Sequence, residues 1–367
     1  MVTLADIFQQ FGAAYQTQFG HKLLYSHKQA MRAIVQCRTA ALGGHLYHCT
    51  KCDHSEYRYH SCRNRHCPQC QGDKAHQWLT RQQEMLLPIP YFLLTFTLPA
   101  PLRLLARSHQ KLIYNLLFRA SAAATQQLAH NPRWLGGDIG MVGVLHTWGR
   151  NLAYHPHVHY LVPAGAWDGM VWRYGRSRRF FLPVRALSSL FRAKFRDELK
   201  KHDCFQQIPA SVWSQDWVVH SLPVGRGLRA LRYLAPYIFR VAISNSRLVA
   251  VSDDVVSFRV RPSGSREWRL CSLPPFEFMR RFLQHVLPKG FVKVRYYGFF
   301  SPGKRQLLRQ IVAWFTSPKL DAPPPSIPST TVEQTSTTYP LPSCPRCGQP
   351  LHLKQRLMPL KRSRQPP

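Results

Sequence analysis

AYHPHVHYLVPAG, residues Ala153 to Gly165, sets His155, His157 and His159 on alternate positions ahead of an apolar run. In a β-strand successive side chains point to opposite faces, so the three histidines share one face and Val158 looks the other way. A single histidine on a strand is usually a satisfied core or surface residue. Three on one face are harder to dismiss, because each buried imidazole needs a polar partner. The preceding apolar stretch, VGVLHTWG (residues 142–149), carries His146. Two antiparallel strands joined by a short connection place His146 across the ladder from His157 and His159. The expectation is that His146, His157 and His159 hold one divalent ion, with His155 at the mouth. Three protein ligands leave coordination positions open, the pattern of a catalytic metal.

Outward from this hairpin, Tyr91 to Leu98 reads as a buried strand and Leu102 to Leu128 as a long helical stretch. Strands follow at Asp138 to Thr147 and His157 to Pro163, then a helix at Val184 to His202, a strand at Trp217 to Leu222 and a helix at Gly227 to Val241. The order β-α-β-β-α-β defines an α+β class of ferredoxin-like type, an antiparallel sheet with helices on one face. Further strands are expected at Leu248 to Val260 and Phe291 to Phe299, with a helix at Pro275 to Leu287 between them.

Charge is the outlier of the composition. Fifty Lys and Arg against seventeen Asp and Glu give +33 over 367 residues, a balance that favours a polyanionic partner, nucleic acid first and an anionic membrane second. The longest apolar run, Leu86 to Leu105, is broken by Pro88, Pro90, Pro99 and Pro101, which a spanning helix does not tolerate. The start, MVTLADIFQQFG, lacks a basic region followed by an apolar core, so no secretory signal is expected and the chain is placed in the cytoplasm, at the nucleoid.

Ten cysteines suit that compartment when reduced or bound to metal. Cys49 with Cys52, and Cys67 with Cys70, form two CxxC pairs spaced as in four-cysteine zinc modules, so these four are the expected structural zinc ligands. Cys37, Cys62, His48, His54, His60 and His66 are surplus, and a second zinc or a swap of ligands stays open. The module could contact DNA through Arg58, Arg63, Arg65 and Lys74, or zinc could simply fold a segment too small for its own core. Near the other end, Cys344 and Cys347 in CPRCGQPLHLK look like half a zinc ribbon without a second half. A nonfunctional remnant, a site completed by another chain and a closure through His352 all stay open, and no function is assigned to the pair.

In GRGLRALRYLAPYIFRVAISNSRL, Tyr233 and Tyr237 are four residues apart and share a face of a helix. Arg226, Arg229, Arg232 and Arg240 surround them, a setting suited to phosphate, while Pro236 favours a kink between them. The segment WRYGRSRRFFLPVRALSSLFRAKFR offers Arg176, Arg178 and Arg179 to phosphates and Trp172, Tyr174 and Phe180 to unpaired bases.

With HPHVH, YLAPY and SCRNRHCPQC in this order, the sequence resembles the HUH-type rolling-circle transposases of the insertion-sequence 91 group, over most of the chain from Cys37 to about Phe300. The resemblance implies a ferredoxin-like HUH nuclease domain behind an amino-terminal zinc-binding module. It also implies a single-strand DNA endonuclease and strand transferase acting on element ends and target DNA. His157 and His159 match the HUH pair, His146 the third histidine on the adjacent strand, and Tyr233 and Tyr237 the nucleophile pair. Structural Zn2+ and a catalytic Mg2+ or Mn2+ follow from it, although imidazoles hold magnesium weakly and manganese somewhat better. Its chemistry is shared by plasmid replication initiators and relaxases, and a fold that has lost activity would be a zinc-dependent DNA-binding protein.

The expected organisation is an amino-terminal helical segment (1–36), a zinc-binding module (37–90), the HUH domain (91–316), a Pro/Ser/Thr-rich linker (317–342) and a CxxC-containing basic tail (343–367).

Overall fold

The computed structural model describes residues 2–70, 78, 82, 83, 85–177, 179–227, 229–231, 242–261, 265, 267–317 and 341–360. Helices α1 (Leu4–Phe19) and α2 (Tyr25–Gln36) precede a hairpin of β1 (Gly44–His48) and β2 (Ser55–Tyr59). Strand β3 (Pro90–Thr97) leads through α3 (Arg103–Ser108) and α4 (Gln110–His130) to β4 (Gly140–Trp148) and β5 (Tyr154–Pro163). A small ribbon, β6 (Gly165–Trp167) and β7 (Trp172–Tyr174), is followed by α5 (Val184–Leu199) and β8 (Val219–Arg226). The chain then forms β9 (Leu248–Val251), β10 (Val256–Val260), β11 (Arg269–Leu273), α6 (Pro275–Leu283), β12 (Val294–Gly298), α7 (Arg305–Thr316) and β13 (His352–Leu357).

Five strands pair antiparallel in the order β12-β4-β5-β3-β8. The fold is α+β, and β3 to β8 run strand, helix, strand, strand, helix, strand. On one face Phe92, Leu94 and Phe96 of β3 and Val158, Tyr160 and Val162 of β5 pack with α4 and α5 through Leu117, Phe118, Phe191 and Phe195. On the other, Tyr91, Leu93, Val142, Val144 and Leu161 pack with Leu231, Phe299, Leu308 and Ile311. Each such side chain contributes roughly 1.5–3 kcal/mol when fully buried. Helical cover on one face only was the expectation; α7 lies against the second face, which is why β3, β4 and β5 read as almost unbroken apolar runs.

The stretch expected as one helix from Leu102 breaks at His109, whose φ of −119° and ψ of 46° are not helical. The expected strand Leu248 to Val260 is two strands, β9 and β10, which turn back through Ser252-Asp253-Asp254 and are joined by β11 in an antiparallel meander. That meander packs with α1, α2, α6 and Leu152 in a second core. The third sheet is ordered β13-β1-β2, with Gly44 opposite Leu357 and His48 opposite His352. The carboxy-terminal segment is thus a strand of the amino-terminal hairpin's sheet. Residues 318–340 of the expected linker and residues 361–367 of the tail lie outside the described residues.

Candidate metal centre

The antiparallel register of β4 and β5 sets His146 opposite His157 and Val144 opposite His159. One potential ligand nitrogen from each of His146, His157 and His159 lies within 4.8 Å of the others. Ring centroids stand 5.4 Å apart for His146 and His157, 5.1 Å for His146 and His159, and 4.8 Å for His157 and His159. His146 and His159 are buried and His157 is half-buried. Trp148 stacks on His146 at 4.6 Å, and the register shift between them accommodates Thr147, whose hydroxyl bonds His285.

The outer hydrogen bonds fix which nitrogens face the group. His157 Nδ1 lies 2.6 Å from the His155 carbonyl oxygen, which can only accept, so Nδ1 carries the proton and Nε2 keeps its lone pair. His159 Nδ1 is 2.9 Å from Thr95 Oγ1, an arrangement that frees Nε2 in the same way when Nδ1 donates. Burial pushes His157 down to about 4 and His159 well below its ordinary value. Both are therefore neutral near pH 7, the form that ligates metal.

His155 is not part of the group. Its Nδ1 takes a 2.9 Å hydrogen bond from Arg103, and burial, then Arg103, lower its pKa. Sequence reasoning missed Arg103, which no spacing signals, and Thr95. Thr95 was accessible in principle: strand alternation through YFLLTFTL puts Thr95 and Thr97 on one face among apolar neighbours. His220 of the edge strand β8 pairs with Thr95 and so stands in the same row as His159, exposed.

Tyr233, Tyr237 and Arg178 lie outside the described residues. The chain on either side of the tyrosines is described: Leu231 packs in the apolar layer on the face that carries the histidines, and Ala242 and Ile243 pack with Leu152, in the turn between β4 and β5. Arg176, Arg179 and Arg226 are exposed. Arg226 pairs with Pro90, whereas His157 pairs with Thr97, a separation along β3 of about 23 Å. Arg176 bonds the Arg133 carbonyl and stacks on Trp134, ahead of β4. These arginines are not brought to the histidines. Trp172, expected to stack on bases, is a core residue packed against Phe299 and Phe315, because the ribbon that carries it covers the sheet; Tyr174 is exposed.

The cysteines regroup. Cys49, Cys52, Cys67 and Cys70 do not converge. One cluster is Cys37, Cys62, Cys67 and Cys70, the other Cys49, Cys52, Cys344 and Cys347, with sulfurs in each within 4.8 Å of one another. The hairpin is the reason. Cys49 and Cys52 sit at its turn, whereas Cys37 precedes β1 and Cys62 follows β2 at the open end, about 16 Å away for five residues of strand. Spacing along the chain pairs the wrong thiols because the strands between them are extended. The first cluster is embedded in the second core beside Met31 and Ile34.

Comparison with known proteins bears on both regions. A family model described as "Transposase zinc-binding domain" matches residues 7–98, and one described as "Putative transposase" matches residues 140–307, which include the three histidines. The class so defined is a transposase, an activity of DNA cleavage and strand transfer. The chain is 41% identical over 326 residues to "Putative transposase y4qJ" of Sinorhizobium fredii (strain NBRC 101917 / NGR234), covering 83% of this chain and 81% of that protein. It is 29% identical over 290 residues to "Transposase for insertion sequence element IS801" of Pseudomonas savastanoi pv. phaseolicola, covering 74% and 70%. No solved structure matches. The chain belongs to the insertion-sequence 91 type of transposases with an amino-terminal zinc-binding domain. Among the described residues no helix is long and apolar enough to cross a membrane.

Proposed function

We propose that this transposase nicks and rejoins single-stranded DNA at the ends of its element through a 5′-phosphotyrosine intermediate, the chemistry of rolling-circle transposition. The observation that carries the reading is the convergence of His146, His157 and His159 from two paired strands, with Nδ1 of His157 bonded to a carbonyl. The HUH reading draws further support from the strand order β8-β3-β5-β4, which is that of a ferredoxin-like unit, with β12 added at the edge.

His146, His157 and His159 hold a divalent ion, magnesium or manganese, which supplies a Lewis acid for a phosphate oxygen. Thr95 and the His155 carbonyl orient two of the imidazoles, and desolvation by burial keeps them neutral. The hydroxyl oxygen of Tyr233 or Tyr237 attacks phosphorus, and the bond from phosphorus to the 3′ oxygen breaks. The phenolic proton is lost to solvent and the departing 3′ oxygen takes one up. The phosphotyrosine bond retains the energy of the broken phosphodiester, so attack by a 3′-hydroxyl rejoins the strand. The second tyrosine permits a second cleavage while the first end is still held.

Cys37, Cys62, Cys67 and Cys70 hold structural zinc in the amino-terminal module; Arg176, Arg179 and Arg226 bind the DNA backbone away from the cut, and Arg178 binds DNA as well. The protein works in the cytoplasm, at the nucleoid where its DNA substrate lies. The test is a denaturing gel of purified protein with labelled single-stranded DNA from the element's ends, with manganese or magnesium. A covalent adduct is expected for wild type and is lost in His157→Ala and in one or both of Tyr233→Phe and Tyr237→Phe. DNA binding without an adduct under either metal would replace this reading with that of a zinc-dependent DNA-binding protein.

A further inference from the structure

The cysteine cluster that the family match does not span is built from the two ends of the chain. Cys49 Sγ lies 3.5 Å from Cys347 Sγ, and Cys52 Sγ 3.6 Å from Cys344 Sγ, across 298 and 292 residues of sequence. A disulfide needs about 2.05 Å, whereas the edge of a tetrahedron with zinc–sulfur bonds of about 2.3 Å is about 3.8 Å. Both separations are close to that edge, and all four sulfurs lie within 4.8 Å of one another.

The two CxxC turns share one backbone design. The Cys49 amide donates to the His54 carbonyl at 2.8 Å, and the Asp53 amide to the Cys49 carbonyl at 3.0 Å. Five and four residues on from Cys344 the same two bonds recur, from the Cys344 amide to Gln349 at 2.7 Å and from the Gly348 amide to Cys344 at 2.9 Å. Asp53 (φ 57°) and Gly348 (φ 74°) occupy the same left-handed position, which asparagine, aspartate and glycine tolerate best. Backbone amides of each turn favour the thiolate, those of Cys52 and Lys51 at Cys49 and that of Gln349 at Cys347. Two matched turns facing each other make a closed, four-sulfur site, soft and tetrahedral, that suits zinc and not magnesium or calcium.

Apart from the β1–β13 ladder, little apolar packing holds the carboxy-terminal segment in place. The apolar cluster around these cysteines contains Leu351 as its one buried aliphatic side chain, and His352 to Arg356 of β13 are exposed. Ordering the segment costs conformational entropy that so small a core does not offset.

We propose that Cys49, Cys52, Cys344 and Cys347 bind a second zinc ion that clasps the carboxy-terminal segment to the amino-terminal module and holds β13 on β1. Binding converts four thiols to thiolates, and their protons pass to solvent. This zinc belongs to the assembly of the chain and not to its DNA chemistry, so it stands or falls independently of strand cleavage.

The experiment uses full-length protein purified in reductant without chelator. Its metals are counted by plasma mass spectrometry, and its backbone is followed by hydrogen–deuterium exchange. Wild type is expected to carry two cysteine-held zinc ions per chain, one for each cluster, counted in parallel with a His157→Ala chain so that zinc on the histidine centre is subtracted. Cys344→Ser with Cys347→Ser should retain one, and amides of residues 352–357 should lose protection while those of β3 keep theirs. Should the double variant fold poorly, zinc-free wild type titrated with cobalt(II) supplies the second readout: two equivalents are expected to develop tetrahedral thiolate absorption. Wild type with a single zinc, a double variant that still holds two, iron in place of zinc, or disulfides from Cys49 and Cys52 to Cys344 and Cys347 would each overturn the clasp.

Discussion

Thr95 on β3 meets His159 on β5 through a 2.9 Å contact between Oγ1 and Nδ1, made possible because the two residues are direct cross-strand partners. The hydroxyl turns the far nitrogen of His159 toward His146 and His157. Outer partners of this kind are typically worth 10–100-fold in metal affinity or activity. Thr95→Val keeps the strand's shape and removes the hydroxyl. The expectation is that it raises the manganese concentration needed for half-maximal adduct formation by about that factor and leaves the circular dichroism spectrum unchanged. An unaltered manganese titration would show that Thr95 has no part in the centre.

Gly143 tests whether the face of the sheet covered by α4 and α5 can give. A Cβ there would stand 2.5 Å from Tyr160 Cε1. The ring cannot step aside, because Tyr160 Oη is bonded to Ser121 and to the Phe118 carbonyl inside the core. Overpacking of this kind costs typically 1–3 kcal/mol. Gly143→Ala is expected to lower the denaturant midpoint accordingly, and because its neighbour ring lies on the face away from the histidines, the metal dependence of the surviving activity should not move.

Acid should destabilise the fold through His285. Burial, aided by Arg107, drives its pKa down to about 3, although its bond to the Leu152 carbonyl opposes the shift. An unfolded histidine titrates near 6.5. Between those values the unfolded chain binds a proton that the folded one refuses, so this contribution is complete above pH 6.5 and shrinks as pH falls toward 3. One proton corresponds to about 1.4 kcal/mol per pH unit. Stability measured from pH 7 to pH 5 should fall with a shallower slope in His285→Gln than in wild type, and equal slopes would exclude this residue as a source.

Loss of the first cysteine cluster should reach well beyond the zinc module. Cys37, Cys67 and Cys70 are packed with Ile7, Phe8, Phe278 and Phe282, so they tie α1 and α6 to the module. Zinc sites of this type contribute folding energy directly. Chelation, or Cys67→Ser, is expected to release zinc together with amide protection in α1, α2 and α6, while β3, β4 and β5 stay protected. Retained protection in α1 after zinc release would show that the apolar core suffices.

By itself the sequence determined what is periodic and local. Alternation placed three imidazoles on one face of β5, and the short link to β4 brought His146 across from them, because a hairpin leaves neighbouring strands one register. The alternating strands and helices gave the α+β class and the antiparallel sheet, and the charge of +33 gave the kind of partner. The second apolar layer on the sheet was hidden, since α7 follows the last expected strand and its contacts are not written in any spacing. Thr95 and Arg103 escaped because neither belongs to a motif. Only tertiary structure decided the cysteines. Cys49 and Cys52 lie nearer in sequence to Cys67 and Cys70 than to Cys344 and Cys347, yet an extended hairpin of about 3.3 Å per residue separates the first two pairs, and the return of the chain as β13 unites the others. Ligand type is a property of residues, but ligand partnership is a distance in space, and a rigid strand between two CxxC pairs sets that distance however few residues it contains.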